Sequence, residues 1–249
     1  MGNLKIGIIM IDEPFYSKEF MLKMIETYEV EFVILHTDFI STKRIIKTFF
    51  IYRIKNFILT VFSVLRNNIN GGQINNILKN HKIKTMKTND INSHEVGSFI
   101  LGKEIDVLIS FNCPQKIKTK LLNLPSKFPI NIHLGYLPAY RGVFPIFHAL
   151  INKEKFVGAT IHIMNENFDD GKILVQEKVK IEESDDILTL YEKTFSLIPS
   201  LTIDALNGIL NNNIELKSND PQYGSYHSFP TFKEVIKYRK MTSKKVKNK

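Results

Sequence analysis

The sequence predicts an α/β fold: a mostly parallel sheet with flanking helices and a short C-terminal extension. Three observations carry that expectation. Residues 4–11 form a continuous apolar run, the pattern of a strand buried on both faces. The chain then opens strand, helix, strand. Residues 17–27 place Phe20, Met21, Met24 and Ile25 on one helical face behind Ser17, a residue able to cap, and residues 30–36 are apolar again. Further buried-strand runs at 105–111 and 129–133 follow helical stretches. That alternation is Rossmann-like. A length of 249 residues suits one such domain, and 43% hydrophobic with 24% charged residues argues against disorder or a fibrous repeat.

The remaining elements follow in order. Residues 40–66 interrupt the rhythm with apolar residues at helical spacing, read as one or two amphipathic helices packed on the domain. A basic helix on an anionic membrane or a phosphate-rich ligand is the alternative. Gly71-Gly72 ends that segment. Residues 74–80 read as a short helix and 83–86 as a strand. Asn92 or Ser93 caps a helix to residue 101, Pro114 opens a helical turn, and 147–151 is helical. Residues 158–164 and 173–181 alternate like strands. Residues 186–210 form a long amphipathic helix with two acids at its positive end. Residues 211–249 are too few for a second core, so the expected division is a catalytic domain at 1–210 and an extension at 211–249 ending in a disordered basic tail.

Net charge is +9, but the segments 40–66 and 240–249 are basic and free of acids, leaving a nearly neutral globule. This is not the distribution of a nucleic-acid binder. Cys113 is the only cysteine, which excludes an intrachain disulfide and a cysteine-based zinc cluster. The longest uncharged apolar stretch, residues 56–65, is about half of a membrane span, and the N-terminus lacks a secretory pattern. A cytoplasmic setting with no membrane span is therefore expected. No G-x-G-x-x-G, P-loop, H-E-x-x-H or G-x-S-x-G occurs, and no histidine pair has metal-ligand spacing, so no metal is expected.

The informative stretch is Asn131-Ile132-His133 followed by a Gly/Pro loop through Gly142. Asn131 and His133 leave the same face of a strand, at its carboxyl end, where open α/β sheets place ligands. A carboxamide beside an imidazole supplies an oxyanion donor and a proton carrier. Asp169-Asp170-Gly171 follows between two strands. A carboxylate there would fix the imidazole tautomer and raise its pKa. Spacing alone leaves Asp169 and Asp170 equivalent.

Together, N-I-H, L-P-A-Y-R-G, G-A-T-I-H-I-M and D-D-G-K-I-L resemble the formyltransferases that use 10-formyltetrahydrofolate, from about residue 106 to 194 and more loosely back to residue 4. The resemblance implies a catalytic set of Asn131, His133 and Asp169, in which Asn131 and a protonated His133 stabilise the oxyanion and Asp169 orients His133. It also implies a pterin site at Gln115, Lys116 and Ile117 and on the loop leading into D-D-G. One departure is Gly135, where relatives often carry Ser or Pro, a change expected to alter the loop and not the chemistry.

The 39 residues that follow the long helix, basic tail included, leave no room for the β-barrel of the methionyl-tRNA branch. Asp12-Glu13-Pro14-Phe15 would repel the phosphate of the glycinamide ribonucleotide branch. The aromatic stretch 223–231 resembles the tail of the branch that formylates nucleotide-linked amino sugars. The expected acceptor is thus a nucleotide-diphosphate amino sugar, plausible as a 4-amino-4,6-dideoxyhexose for a surface polysaccharide. Arg141 is expected at the diphosphate, and Tyr226 or Phe229 against the base. Those aromatics have a second reading, as a loop closing the core. A homodimer is implied by the resemblance. The alternatives are a methionyl-tRNA acceptor, supported by the basic segments, and a non-catalytic sugar-nucleotide binder on the same fold.

Overall fold

The computed structural model describes residues 4–11, 15–37 and 73–247, with side chains to residue 242. The expected helices at 40–66, the Gly71-Gly72 break and the Asp12-Glu13-Pro14 loop lie outside the described residues. Seven strands form one sheet in the order β3-β2-β1-β4-β5-β7-β8. These are β1 (Lys5–Ile11), β2 (Glu29–His36), β3 (Lys84–Thr88), β4 (Val107–Phe111), β5 (Phe128–His133), β7 (Phe156–Ile163) and β8 (Ile173–Lys180). The first five pair in parallel, whereas β5–β7 and β7–β8 are antiparallel. A second, two-stranded sheet joins β6 (Arg141–Gly142) to β9 (Tyr226–His227). No helix among the described residues is long and apolar enough to cross a membrane.

Strand alternation divides the core between the two faces of the large sheet. On one face Ile6, Ile8 and Met10 of β1 pack with Phe20, Met21 and Met24 of α1 (Ser17–Thr27) and Ile74 and Leu78 of α2 (Gln73–Asn80). The long helix α6 (Ile187–Leu210) covers the same face through Ile198, Ala205 and Leu206. On the other face Ile9, Phe32 and Leu108 meet Val96 and Ile100 of α3 (His94–Ile100) and Leu121 of α4 (Thr119–Leu122). Gly7 is the residue that lets Phe32 lie across β1: a Cβ there would stand 2.4 Å from the ring. A third cluster joins α5 (Pro145–Ile151) to α7 (Phe232–Lys247) through Phe147, Ile151, Val235 and Tyr238. Each fully buried side chain of this kind contributes about 1.5–3 kcal/mol.

Local signals set most of the boundaries. Ser93 accepts the Val96 N–H and starts α3. Asp186 accepts from Leu188 and Thr189 N–H, and the Thr189 hydroxyl accepts from Asp186 N–H, a reciprocal cap on α6. Three local expectations are corrected. Ser17 is the first residue inside α1 and Tyr16 holds the cap position, because Tyr16 is fixed by stacking on Phe195 at 4.1 Å. Pro114 opens no helix: the Gln115 side chain is tied to Asp90 and Ile91, and the helical turn begins only at Thr119. The basic end is not frayed from residue 240, since α7 continues through Lys247.

Candidate functional site

Ile130 and Ile132 of β5 are buried in the first cluster, so Asn131 and His133 leave the opposite face at the carboxyl end of the strand. Antiparallel pairing sets His162 of β7 directly across from Asn131, and Thr160 across from His133. The loop before β8 brings in Asp169. That residue adopts φ 49°, a left-handed conformation that aspartate tolerates better than most side chains. Gly171 lies so close to β7 that a Cβ would stand 1.9 Å from the Ile163 carbonyl oxygen. The Asn219 amide donates to the carbonyls of Asp169 (3.0 Å) and Gly171 (2.9 Å), fixing the turn from outside.

The three expected residues therefore converge. Asn131 Nδ2 donates to Asp169 Oδ1 at 3.3 Å, and His133 Nδ1 lies 3.6 Å from Asp169 Oδ2. The Gly142 N–H donates to Oδ2 at 2.8 Å. His162 completes the group, with Nε2 3.4 Å from Asp169 Oδ1 and 3.2 Å from Asn131 Nδ2. Its Nδ1 bonds the Ile163 carbonyl at 2.9 Å, which makes Nδ1 the donor. Asp169, and not Asp170, turns inward.

The tautomer of His133 follows from its partner. Nε2 is 2.8 Å from the Tyr140 carbonyl oxygen, which can only accept, so Nε2 carries the proton and Nδ1 holds the lone pair. Burial pushes the imidazole below its ordinary pKa. Asp169 and the Tyr140 carbonyl pull it up, while His162 and Arg141 push it further down. Burial alone would raise the Asp169 carboxyl, but His133, His162 and the Gly142 N–H hold it well below the usual carboxylate range.

Gly135 belongs to this geometry. A Cβ there would lie 2.6 Å from His133 Nε2, so the imidazole occupies space that any side chain at 135 would take. The loop that follows is anchored by Thr160, whose hydroxyl donates to the Gly135 carbonyl (2.6 Å) and accepts the Leu137 N–H (3.2 Å).

The other expected residues divide. Arg141 is buried, ion-paired with Asp170 and hydrogen-bonded to the Asn219 carbonyl. That corrects its assignment as a phosphate ligand, because its charge is already neutralised inside the fold. Gln115 spends its side chain on Ile91 and Asp90, and Ile117 is buried in the second cluster. Lys116 is exposed, with Nζ 5.2 Å from the centre of the Phe168 ring, and the Thr119 hydroxyl donates to Glu166 at 2.7 Å. These contacts join the two segments on which the resemblance placed a pterin. Tyr226 is 61% exposed, whereas Phe229 packs edge-on against Phe144 at 4.6 Å. Phe229 is therefore a core-closing ring, and Tyr226 is the more exposed of the two. Sequence reasoning missed His162, although it lies in the quoted G-A-T-I-H-I-M. It also missed the Tyr140 carbonyl and the Gly142 amide. Among the described residues no group of three or more His, Cys, Asp or Glu side chains is placed to hold a metal ion.

A mostly parallel sheet with a buried Asn–His–Asp group at its carboxyl edge defines an α/β protein built for group transfer at a protected polar centre. The chain belongs to the formyl transferase family, whose model, described as Formyl transferase, matches residues 68–206. A methionyl-tRNA formyltransferase of Halothermothrix orenii is 38% identical over 133 residues, covering 52% of this chain and 42% of that protein. A GDP-perosamine N-formyltransferase of Brucella melitensis is 37% identical over 102 residues, covering 41% and 39%. The chain thus spans less than half the length of these curated relatives. The crystal structure of a 4-N formyltransferase from Francisella tularensis superposes with a TM-score of 0.60 at 25% identity, over 94% of this chain and 86% of that one.

Proposed function

We propose that the chain transfers the formyl group of 10-formyltetrahydrofolate to the amine of a nucleotide-linked amino-deoxysugar, such as a 4-amino-4,6-dideoxyhexose. The observation that carries the reading is the convergence of Asn131, His133 and Asp169 in one buried polar group. The donor set suits the formyl group: the Asn131 amide can donate to a formyl oxygen. The Cys113 thiol donates to the Gln115 carbonyl at 3.3 Å and takes no part in this reading, in which transfer is direct between two bound partners. Bound 10-formyltetrahydrofolate supplies an activated formyl carbon. Asn131 Nδ2 would turn one N–H from Asp169 or His162 toward the negative charge that builds on the formyl oxygen. His133 receives the amine proton at Nδ1, the ring nitrogen with the lone pair, and returns it to the departing nitrogen. Asp169 holds the transient imidazolium. The new carbon–nitrogen bond replaces the old one, and no proton is left over. Lys116 and the loop at Phe168 border the folate, and Tyr226 offers a ring to the base.

The sugar acceptor is supported by the GDP-perosamine relative and by a structural likeness that runs through the extension as well as the sheet. We assign residues 1–210 to the catalytic unit and 211–249 to the extension. The enzyme acts as a homodimer in the cytoplasm, and its product is a formamido sugar for a surface polysaccharide such as an O-antigen. The methionyl-tRNA relative favours a second acceptor. The deciding experiment offers charged initiator tRNA and a panel of amino-sugar nucleotides side by side with the same donor. Formylated sugar, at a rate falling only shallowly with salt, is the expected result. Formyl-methionyl-tRNA with steep salt dependence overturns the acceptor, and no transfer to either overturns the enzyme in favour of a sugar-nucleotide binder.

A further inference from the structure

Residues 140–143 are held from two sides. Toward the extension, the Tyr140 N–H donates to the Ser225 hydroxyl at 2.9 Å, the Arg141 N–H to the Ser225 carbonyl at 2.8 Å, and the Val143 N–H to the His227 carbonyl at 3.0 Å. Toward the catalytic group, the Tyr140 carbonyl accepts from His133 Nε2 and the Gly142 N–H donates to Asp169 Oδ2, both at 2.8 Å. The strand β6 therefore spends one edge on β9 and the other on the two side chains that carry out the chemistry.

Side chains reinforce the same link. The His227 ring stacks on Tyr140 at 5.3 Å and 14°, and on His148 of α5 at 4.3 Å and 24°. His227 Nε2 lies 3.1 Å from the Ser225 hydroxyl that receives the Tyr140 amide. The approach admits no slack at its centre: Gly142 has φ 90°, and a Cβ there would stand 2.2 Å from the His227 carbonyl oxygen. Tyr140 itself has φ 59°, a conformation that a bulky residue keeps only when its surroundings enforce it.

We propose that Ser225 and His227 are positioning residues for the transfer site, holding residues 140–143 so that the Tyr140 carbonyl and the Gly142 amide keep His133 and Asp169 aligned. The inference rests on the functional reading above only for what the aligned pair does. It makes the extension part of the site's geometry, although the family match ends at residue 206.

The test uses the full chain with Ser225→Ala, Ser225→Thr and His227→Phe. It reads steady-state kinetics, thermal unfolding, and the NMR titration of the His133 ring without substrates. Ser225→Ala is expected to lower kcat about tenfold while KM for either substrate changes less than twofold, as misalignment of a catalytic pair does. The His133 titration should move with it. Ser225→Thr keeps the hydroxyl and should restore both. His227→Phe keeps a flat ring and loses the imidazole, and should fall between them. An unmoved His133 titration in a folded Ser225→Ala variant overturns the proposal, as does a kcat loss that only tracks the folded fraction. Should Ser225→Ala fail to fold, the His133 titration in His227→Phe decides the matter by the same criterion. A shifted titration in a chain whose wild type formylates nothing overturns the functional reading and leaves the positioning role standing.

Discussion

Two histidines of this chain meet a carboxylate through the same atoms, and they serve different ends. His133 sets Nδ1 3.6 Å from Asp169 and Nε2 2.8 Å from a backbone carbonyl; His148 sets Nδ1 3.7 Å from Glu234 and Nε2 3.1 Å from the Ser228 carbonyl. Both rings are buried, and burial is the main cause that holds both below the ordinary histidine pKa. The carboxylates differ. Asp169 is nearly enclosed and also receives Asn131 Nδ2 and the Gly142 N–H beside His162. Glu234 is about one-third exposed and spends itself on the Thr231 N–H and hydroxyl, capping α7. A histidine–carboxylate pair is therefore not a site by itself. The second pair joins two helices, whereas the first stands at the carboxyl edge of the sheet with donors aimed at one carboxylate.

The largest effect should separate the pairs completely. His133→Ala and Asp169→Asn are each expected to lower kcat by about 10²–10⁴-fold with the fold intact, and the double variant should lose little more, because the two act as a unit. Turnover near wild type in either, measured in steady state, would end the comparison in its present form. Next, Asn131→Ala should cost about 10²–10³-fold in kcat if its amide faces the developing negative charge.

Acid sensitivity is what the two pairs share. The rings of His133, His148 and His227 are all held below the ordinary value, whereas in the unfolded chain they titrate near about 6.5. Between the two values the unfolded chain binds more protons, so stability is fully present above about pH 6.5 and declines as pH falls below it. Asp169 adds a loss of the same sign below about pH 3.9. Urea midpoints at a series of pH values should show this slope, and both His133→Gln and His148→Gln should flatten it. The smallest effect falls on the second pair alone: Glu234→Ala removes a cap and should cost about 1 kcal/mol of stability in urea unfolding, with kcat within about twofold of wild type.

Much of this was legible in the sequence where the cause is local. The continuous apolar runs of β1 and β4 announce burial on both faces, and Ser93 and Asp186 announce their helices. The Asn131–His133 pair follows from strand alternation alone. What was illegible depends on partners distant in sequence. His162 enters the site through antiparallel register with Asn131, and a run of alternating residues does not declare its register. Arg141 reads as a free cation until Asp170 is seen to neutralise it. Asp169 and Asp170 are chemically alike, so spacing leaves them equivalent, and it is the resemblance that singles out Asp169.

The hydrogen bond from Tyr140 to Ser225 spans 85 positions of the chain, so the clamp on the active loop can form only after the segment around Ser225 has been made. Roughly 55 residues separate Asp169 from Ser225, and at about 5–20 residues per second that is on the order of 3–10 s of synthesis. During that interval His133 and Asp169 already exist in the emerging chain without the segment that fixes their loop. Translation itself thus delays the finished site until the extension has been made.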